Sequence, residues 1–157
     1  DNLHYDSLII FNFVRKYLFE NKYIESLYIM GRSLGSASAF EIINQNEDLV
    51  AGCIIESGFA TEFPLLELLN IDPEEVNFKL EDGFMNLSKL RTFKGRLLII
   101  HADLDDIIPF SQAELMLIES PSKDKNIFKV SGASHNTIMM IAREVYFNKI
   151  DEFINKQ

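Results

Sequence analysis

Cysteine is nearly absent: Cys53 is the only one among 157 residues, so no internal disulfide can form and a disulfide-built scaffold is excluded. It lies in the apolar run Val50 to Ile55, where a buried, inert thiol is expected. Basic residues are also scarce, 15 Lys and Arg against 24 Asp and Glu, for a net charge of -9 and no basic run. That balance excludes a nucleic-acid backbone as the main partner, because phosphates reward clustered cations. No apolar stretch approaches the length of a membrane span. Internal repeats, low-complexity tracts and linker-like shifts in composition are missing too. With one cysteine and no visible export signal, the cytoplasm is the default expectation. The chain opens at Asp1 rather than Met, so this start is not expected to be the native one.

What remains is a chain with enough apolar residues, 47%, to build one packed domain over residues 1–157. Helical and strand-like segments alternate along it. Tyr5 to Glu20 reads as a helix with a wide apolar face (Leu8, Ile10, Phe11, Phe13, Val14, Tyr17, Leu18) suited to lying on a sheet. Ser26 to Met30, Val50 to Glu56, Arg96 to His101 and Lys125 to Val130 read as buried strands. Helices are expected from Ser36 to about Asn46, near Ser111 to Ser120, and from Ile138 to the C-terminus. Continuous apolar strands separated by helices predict an α/β fold, a mostly parallel sheet with helices on both faces. Residues 61–92 break the rhythm and read as an insert of short helices, a lid or pocket wall. Within it Asp72-Pro73-Glu74-Glu75 predicts a helix start and Glu81-Asp82-Gly83 a turn.

Three loops carry candidate chemistry. Gly31-Arg32-Ser33-Leu34-Gly35 joins a strand to a helix, the pattern of a nucleophile elbow. Its glycines, Gly31 and Gly35, relieve backbone crowding, and the helix N-terminus aims free N–H groups at developing negative charge. A serine hydroxyl needs a base and a carboxylate to orient that base. His101-Ala102-Asp103-Leu104-Asp105-Asp106 follows the third strand and Gly132-Ala133-Ser134-His135-Asn136 follows the fourth. Both loops therefore leave the sheet edge that carries Ser33. Asp103, Asp105 and Asp106 compete for the acid role. Asp105 is preferred because a loop of that length reaches the histidine loop, and the other two read as surface or loop-bracing carboxylates. His135 is the candidate base, His101 reads as structural, and His4 as a surface residue. Arg32 reads as a solvent or salt-bridge residue. The acidic loop lacks EF-hand spacing or a His pair, so neither metal nor cofactor is expected. Phe59, Leu65, Leu66, Phe84 and Ile107 are candidates for an apolar pocket, although core packing accounts for each equally well.

These segments, together with Ile-Ile-Glu-Ser-Gly-Phe at 54–59, resemble the α/β-hydrolase superfamily over essentially the whole chain, in its single-domain esterase, acyl-thioesterase and serine-aminopeptidase-like branch. The resemblance implies a triad of Ser33, Asp105 and His135, with the Leu34 N–H as one oxyanion donor. Ala102 and Ser134 stand where such proteins often carry glycine. The superfamily's sheet begins with strands that would precede Asp1, and their loop supplies the second oxyanion donor. The chain is therefore expected to be the C-terminal portion of a longer hydrolase. Three functions remain open: a serine hydrolase of a small-molecule or acyl-group ester or thioester, a peptidase of the prolyl-oligopeptidase or aminopeptidase sort, and a non-catalytic binding protein on the same fold.

Overall fold

A computed structural model describes residues 2–23 and 25–155 of the chain. Four strands, β1 (Tyr28–Arg32), β2 (Gly52–Glu56), β3 (Arg96–Ala102) and β4 (Lys125–Val130), form one sheet in the order β1-β2-β3-β4. Every neighbouring pair is parallel, with Arg32 opposite Glu56, Glu56 opposite Ile100, and Ala102 opposite Val130. All four strands therefore end on one edge, and the loops leaving that edge are neighbours. The helices are α1 (Asn2–Glu20), α2 (Gly35–Gln45), α3 (Phe63–Leu68), α4 (Asn86–Leu90), α5 (Phe110–Glu119), α6 (Ile138–Ala142) and α7 (Glu144–Asn155). None of the described helices is long and apolar enough to cross a membrane.

Alternation along the central strands builds two cores. Cys53, Ile55, Leu97 and Ile99 face a layer made by Phe11 of α1, Phe40 and Ile43 of α2, Leu90 of α4 and Met116 of α5. Ile54, Leu98, Ile100 and Ala102 face Ile138 of α6 and Tyr146 and Phe153 of α7. Both faces of β2 and β3 are thus apolar, which is why those strands read as unbroken hydrophobic runs. Burial pushes the Cys53 thiol up to about 12, so it stays protonated.

Several expected elements differ. The first strand lies two residues later than Ser26 to Met30, because Gly31 and Arg32 stay paired with Ile55 and Glu56. Helix α1 packs chiefly against α2, and of its expected apolar face only Phe11 joins the core over the sheet. Only Ser7 and Phe11 of α1 are buried, and Ile10, Phe13, Val14 and Tyr17 are exposed. The helix expected from Asp72 is a run of turns. Asp72 Oδ1 accepts the Glu74 N–H at 2.8 Å, and Asn77 ends the run in a left-handed conformation, φ 50°. The C-terminal helix is two helices broken at Arg143, φ 48°. Its expected last residues, 156 and 157, and residue 1 of the expected domain lie outside the described residues.

Candidate active site

The elbow is built where β1 ends. Ser33 donates its N–H to the Glu56 carbonyl at 2.9 Å, extending the ladder one step, and then turns with φ 52°. A left-handed non-glycine residue costs on the order of 1–3 kcal/mol and survives only where its surroundings impose it. Here Ser36 imposes it, with both its N–H (3.0 Å) and its hydroxyl (2.7 Å) donating to the Ser33 carbonyl. The two elbow glycines are not equivalent. A Cβ on Gly31 would meet the Gly35 carbonyl oxygen at 2.5 Å and Ala39 Cβ at 2.7 Å, whereas one on Gly35 meets nothing within 4 Å. Crowding therefore explains Gly31 and not Gly35. Leu34 is the N-cap of α2, at the end where first-turn N–H groups lack helical acceptors, so its N–H can serve an anion beside Ser33.

The acid and histidine loops meet that turn. His135 Nε2 lies 3.0 Å from Ser33 Oγ, and His135 Nδ1 lies 2.9 Å from both Asp105 carboxylate oxygens. The Asp105 side chain is fully enclosed, and its Oδ1 also accepts the N–H groups of Ile107 at 3.0 Å and Ile108 at 2.8 Å. Nδ1–H of the imidazole donates to this carboxylate, which leaves the Nε2 lone pair facing the serine hydroxyl. The competing acids brace the loops: Asp103 Oδ1 accepts the Gly132 N–H at 2.7 Å and Asp106 Oδ1 the His135 N–H at 3.4 Å. His101 is wholly buried, donates from Nε2 to the Ile108 carbonyl at 2.8 Å, and has its Nε2 3.5 Å from Asp105 Oδ2. Burial pushes its pKa down, against the opposing pull of the Ile108 carbonyl and Asp105, so it stays neutral. Its Nδ1 has no hydrogen-bond partner.

A cavity of about 630 Å³ opens beside Ser33 and Leu34. Most of its wall comes from the 61–92 segment: Leu65, Leu66, Leu68, Leu69, Phe78 and Phe84, with the polar groups of Glu62 and Asp82 among them, and α1 adds His4. Leu65, Leu66 and Phe84 thus take wall positions. Phe59 does not; it is fully buried behind the wall, its ring 5.7 Å from that of Phe84. Ile107 is not on the wall either and packs with Phe59, Ala37 and Ile108. Glu62 is buried and accepts the Phe84 N–H at 2.6 Å, which ties the wall together.

Sequence reasoning missed the roles of His4 and Glu56 here and saw only part of that of Arg32, whose expected salt bridge is present. His4 is a cavity residue rather than a surface one, with Nε2 3.1 Å from Lys89 Nζ. Burial and Lys89 hold its pKa down. Lys89 in turn bonds Glu41 at 2.6 Å; burial would raise the Glu41 pKa, but the Lys89 bond and charge outweigh it and bring it down. Arg32 reaches past its salt bridge with Glu56 to the histidine loop, and the last of the three, Glu56, is a buried carboxylate that was legible only as a strand end. Among the described residues no three His, Cys, Asp or Glu side chains converge as a metal site.

Residues 11–157 match the model of the prolyl oligopeptidase family. The chain is 26% identical over 134 residues to the Alpha/beta hydrolase domain-containing protein 17C of Xenopus tropicalis, and 25% identical to human protein 17B. Each match covers 85% of this chain but only 40% and 43% of those proteins, so the chain spans about two fifths of the length of the curated relatives it matches. In structure it is similar to a monoacylglycerol lipase of Paleococcus ferrophilus (TM-score 0.70, 17% identity, 97% of this chain and 74% of that one). It is similar as well to the acylaminoacyl peptidase of Pyrococcus horikoshii (TM-score 0.75, 18% identity, 97% of this chain and 28% of that one). At these identities the structural likeness establishes the α/β-hydrolase fold.

Proposed function

The chain belongs to the prolyl oligopeptidase family of α/β-hydrolases, and from that premise we propose that it carries the reacting groups of a serine hydrolase acting on a carboxylic ester or thioester. The observation that carries the proposal is the unbroken series Ser33 Oγ, His135 and Asp105, with contacts of 3.0 and 2.9 Å. Ser33 Oγ attacks the carbonyl carbon while His135 Nε2 takes its proton. The carbonyl electrons move to oxygen, and the oxyanion accepts the Leu34 N–H. Collapse of the tetrahedral intermediate breaks the bond to the leaving group, which takes the proton from His135 and departs. Water, deprotonated by the same Nε2, then cleaves the acyl-enzyme and regenerates Ser33. Asp105 takes up no proton in either half of the reaction; it fixes the tautomer and stabilises the imidazolium. The leucine-lined cavity beside Ser33 favours an apolar acyl group as the part of the substrate held there.

Family membership favours a second reading, a peptidase with the same reacting groups and an amide as substrate. A fluorophosphonate probe applied to the full-length protein tests what the two share: it should label Ser33, and the signal should vanish in Ser33→Ala. An unlabelled wild type at neutral pH would sink both. Nitrophenyl esters of increasing acyl length, run beside aminoacyl anilides, separate them. The ester reading expects faster turnover as the chain lengthens into the cavity, with anilides turned over far more slowly.

A further inference from the structure

Arg32 and Glu56 end adjacent strands and stand opposite each other in the β1–β2 register. The Glu56 side chain is only 5% exposed, and both its oxygens are engaged. Oε1 accepts Arg32 Nε at 2.9 Å and Oε2 accepts the Tyr146 hydroxyl of α7 at 2.5 Å. Removing a buried carboxylate's cation leaves an uncompensated charge, so Glu56 constrains where the guanidinium sits. A guanidinium is a planar fork, and once Nε is fixed its outer nitrogens point in set directions. Arg32 Nη2 points at the histidine loop, donating to the His135 carbonyl at 2.8 Å and to Asn136 Oδ1 at 2.9 Å.

We propose that Arg32, held by Glu56 and Tyr146, is a positioning residue that sets the backbone of His135 and thereby the distance from Nε2 to Ser33; this rests on the hydrolase reading above. The flanking residues bracket the turn, with Ser134 N–H donating to Thr137 Oγ1 at 2.8 Å, but of the bonds made by His135 itself the ring contacts go to Asp105 and Ser33, and its own N–H reaches Asp106 only at 3.4 Å. Asp105 fixes how the imidazole is turned, and Arg32 fixes where the peptide that carries it lies. Because Arg32 directly precedes Ser33, nucleophile and base are referred to one point of the chain. An ordinary surface ion pair explains neither the buried acceptor nor the second nitrogen aimed at a loop 103 residues away. Burial and the hydrogen bond to Glu56 raise the Tyr146 pKa, which keeps that hydroxyl a donor and ties α7 into the same chain of contacts.

The test uses the full-length protein, one nitrophenyl ester and a fluorophosphonate probe. Arg32→Gln should lower kcat by about 10- to 100-fold, the range expected when a reacting group drifts by up to an ångström, with KM within about 2-fold. Arg32→Lys restores the charge facing Glu56 but not the fork. It should recover the melting temperature while kcat stays at least about 5-fold low. Asn136→Ala leaves the Arg32–Glu56 pair whole and answers even where an Arg32 variant fails to fold; it should lower kcat about 2- to 5-fold without a change in melting temperature. The downfield proton resonance of His135 Nδ1–H should broaden in Arg32→Gln. Wild-type kcat in Arg32→Lys and Asn136→Ala, or an unaltered resonance in Arg32→Gln, overturns the positioning role. The hydrolase reading stands or falls separately, on whether Ser33→Ala abolishes labelling.

Discussion

Ser33 stands between two regions held together by different means. On one side the acid and histidine loops leave the ends of β3 and β4 and are tied at almost every polar group: Asp105 by two backbone donors and His135, Asp103 by Gly132, and the His135 carbonyl by Arg32. On the other side lies the cavity wall, in which no residue from 63 to 85 is buried and three, Asn70, Asn77 and Met85, take left-handed conformations. The loop side is over-determined and fixes geometry. The wall rests on apolar contacts and a few brackets such as Glu62 to Phe84, so it adapts in shape. On the hydrolase reading proposed above, chemistry that tolerates little displacement sits with the first region and substrate fit with the second.

The largest expected effect comes from breaking the loop side at its centre. Asp105→Asn keeps the shape and removes the charge that selects the His135 tautomer, and turnover should fall by about 10³- to 10⁴-fold, as the serine-histidine-aspartate template indicates. Asp103→Asn and Asp106→Asn keep an acceptor for Gly132 and for the His135 N–H, so each should cost less than about 10-fold. Turnover of one ester by the three full-length variants checks the ranking. Equal losses in all three would show that the loop acts only as a scaffold.

A smaller contrast compares stiffness directly. Gly31→Ala drives a methyl into the Gly35 carbonyl and Ala39 Cβ, neither of which can swing away, and should cost about 1–3 kcal/mol of stability. Gly83→Ala, on the cavity wall, drives a methyl to 2.5 Å from Glu62 Cδ, the far end of a flexible side chain. Glu62 can move, so the cost should stay below about 1 kcal/mol, the ordinary range of a tolerated substitution, while the bond to Phe84 loosens. Urea unfolding of both variants gives the comparison. A Gly83→Ala loss matching that of Gly31→Ala would mean that the wall is as rigid as the elbow.

The same contrast decides what could be read in advance. β2 and β3 differ from expectation only at their ends, because strands buried on both faces announce themselves by composition; Lys125–Val130 appears at its expected bounds but with only Val130 buried, so the expected full burial does not extend to this edge strand. Ser33, Asp105 and His135 stood out because a parallel sheet delivers successive loops to one edge in chain order. The wall resisted. Asp72-Pro73 has the signature of a helix start, yet Asn77 turns the chain before a second turn can form, a choice that neighbouring contacts make. The break at Arg143 carries no glycine or proline to mark it. Glu56, His4 and the reach of Arg32 beyond its salt bridge were missed because those roles come from partners 24 to 104 positions away, visible only once the chain has folded: Arg32 meets Glu56 across 24 residues and Asn136 across 104, and Tyr146 meets Glu56 across 90.

The smallest expected effect separates two histidines, one on each side of Ser33. Both His101, beneath the acid loop, and His4, on the cavity wall, have pKa values below the ordinary 6.5, chiefly through burial. A histidine whose folded pKa is depressed binds fewer protons in the native state than in the unfolded chain. Its contribution is therefore present above pH 6.5 and is lost as the pH falls below it, until the folded group also titrates. The slope is at most about 1.4 kcal/mol per pH unit for each histidine, or about 2–4 °C of melting temperature per kcal/mol for a chain of this size. Glu41, whose pKa is lowered, adds a loss only once the pH falls below its ordinary 4.5, so the interval from pH 6.5 to 5 isolates the imidazoles. Wild type should lose melting temperature across that interval. His4→Gln should keep most of the slope, because His101 is wholly enclosed whereas the His4 side chain is one quarter exposed, at 25%. A slope abolished by His4→Gln would reverse the assignment and make the cavity wall, rather than the acid loop, the acid-sensitive side.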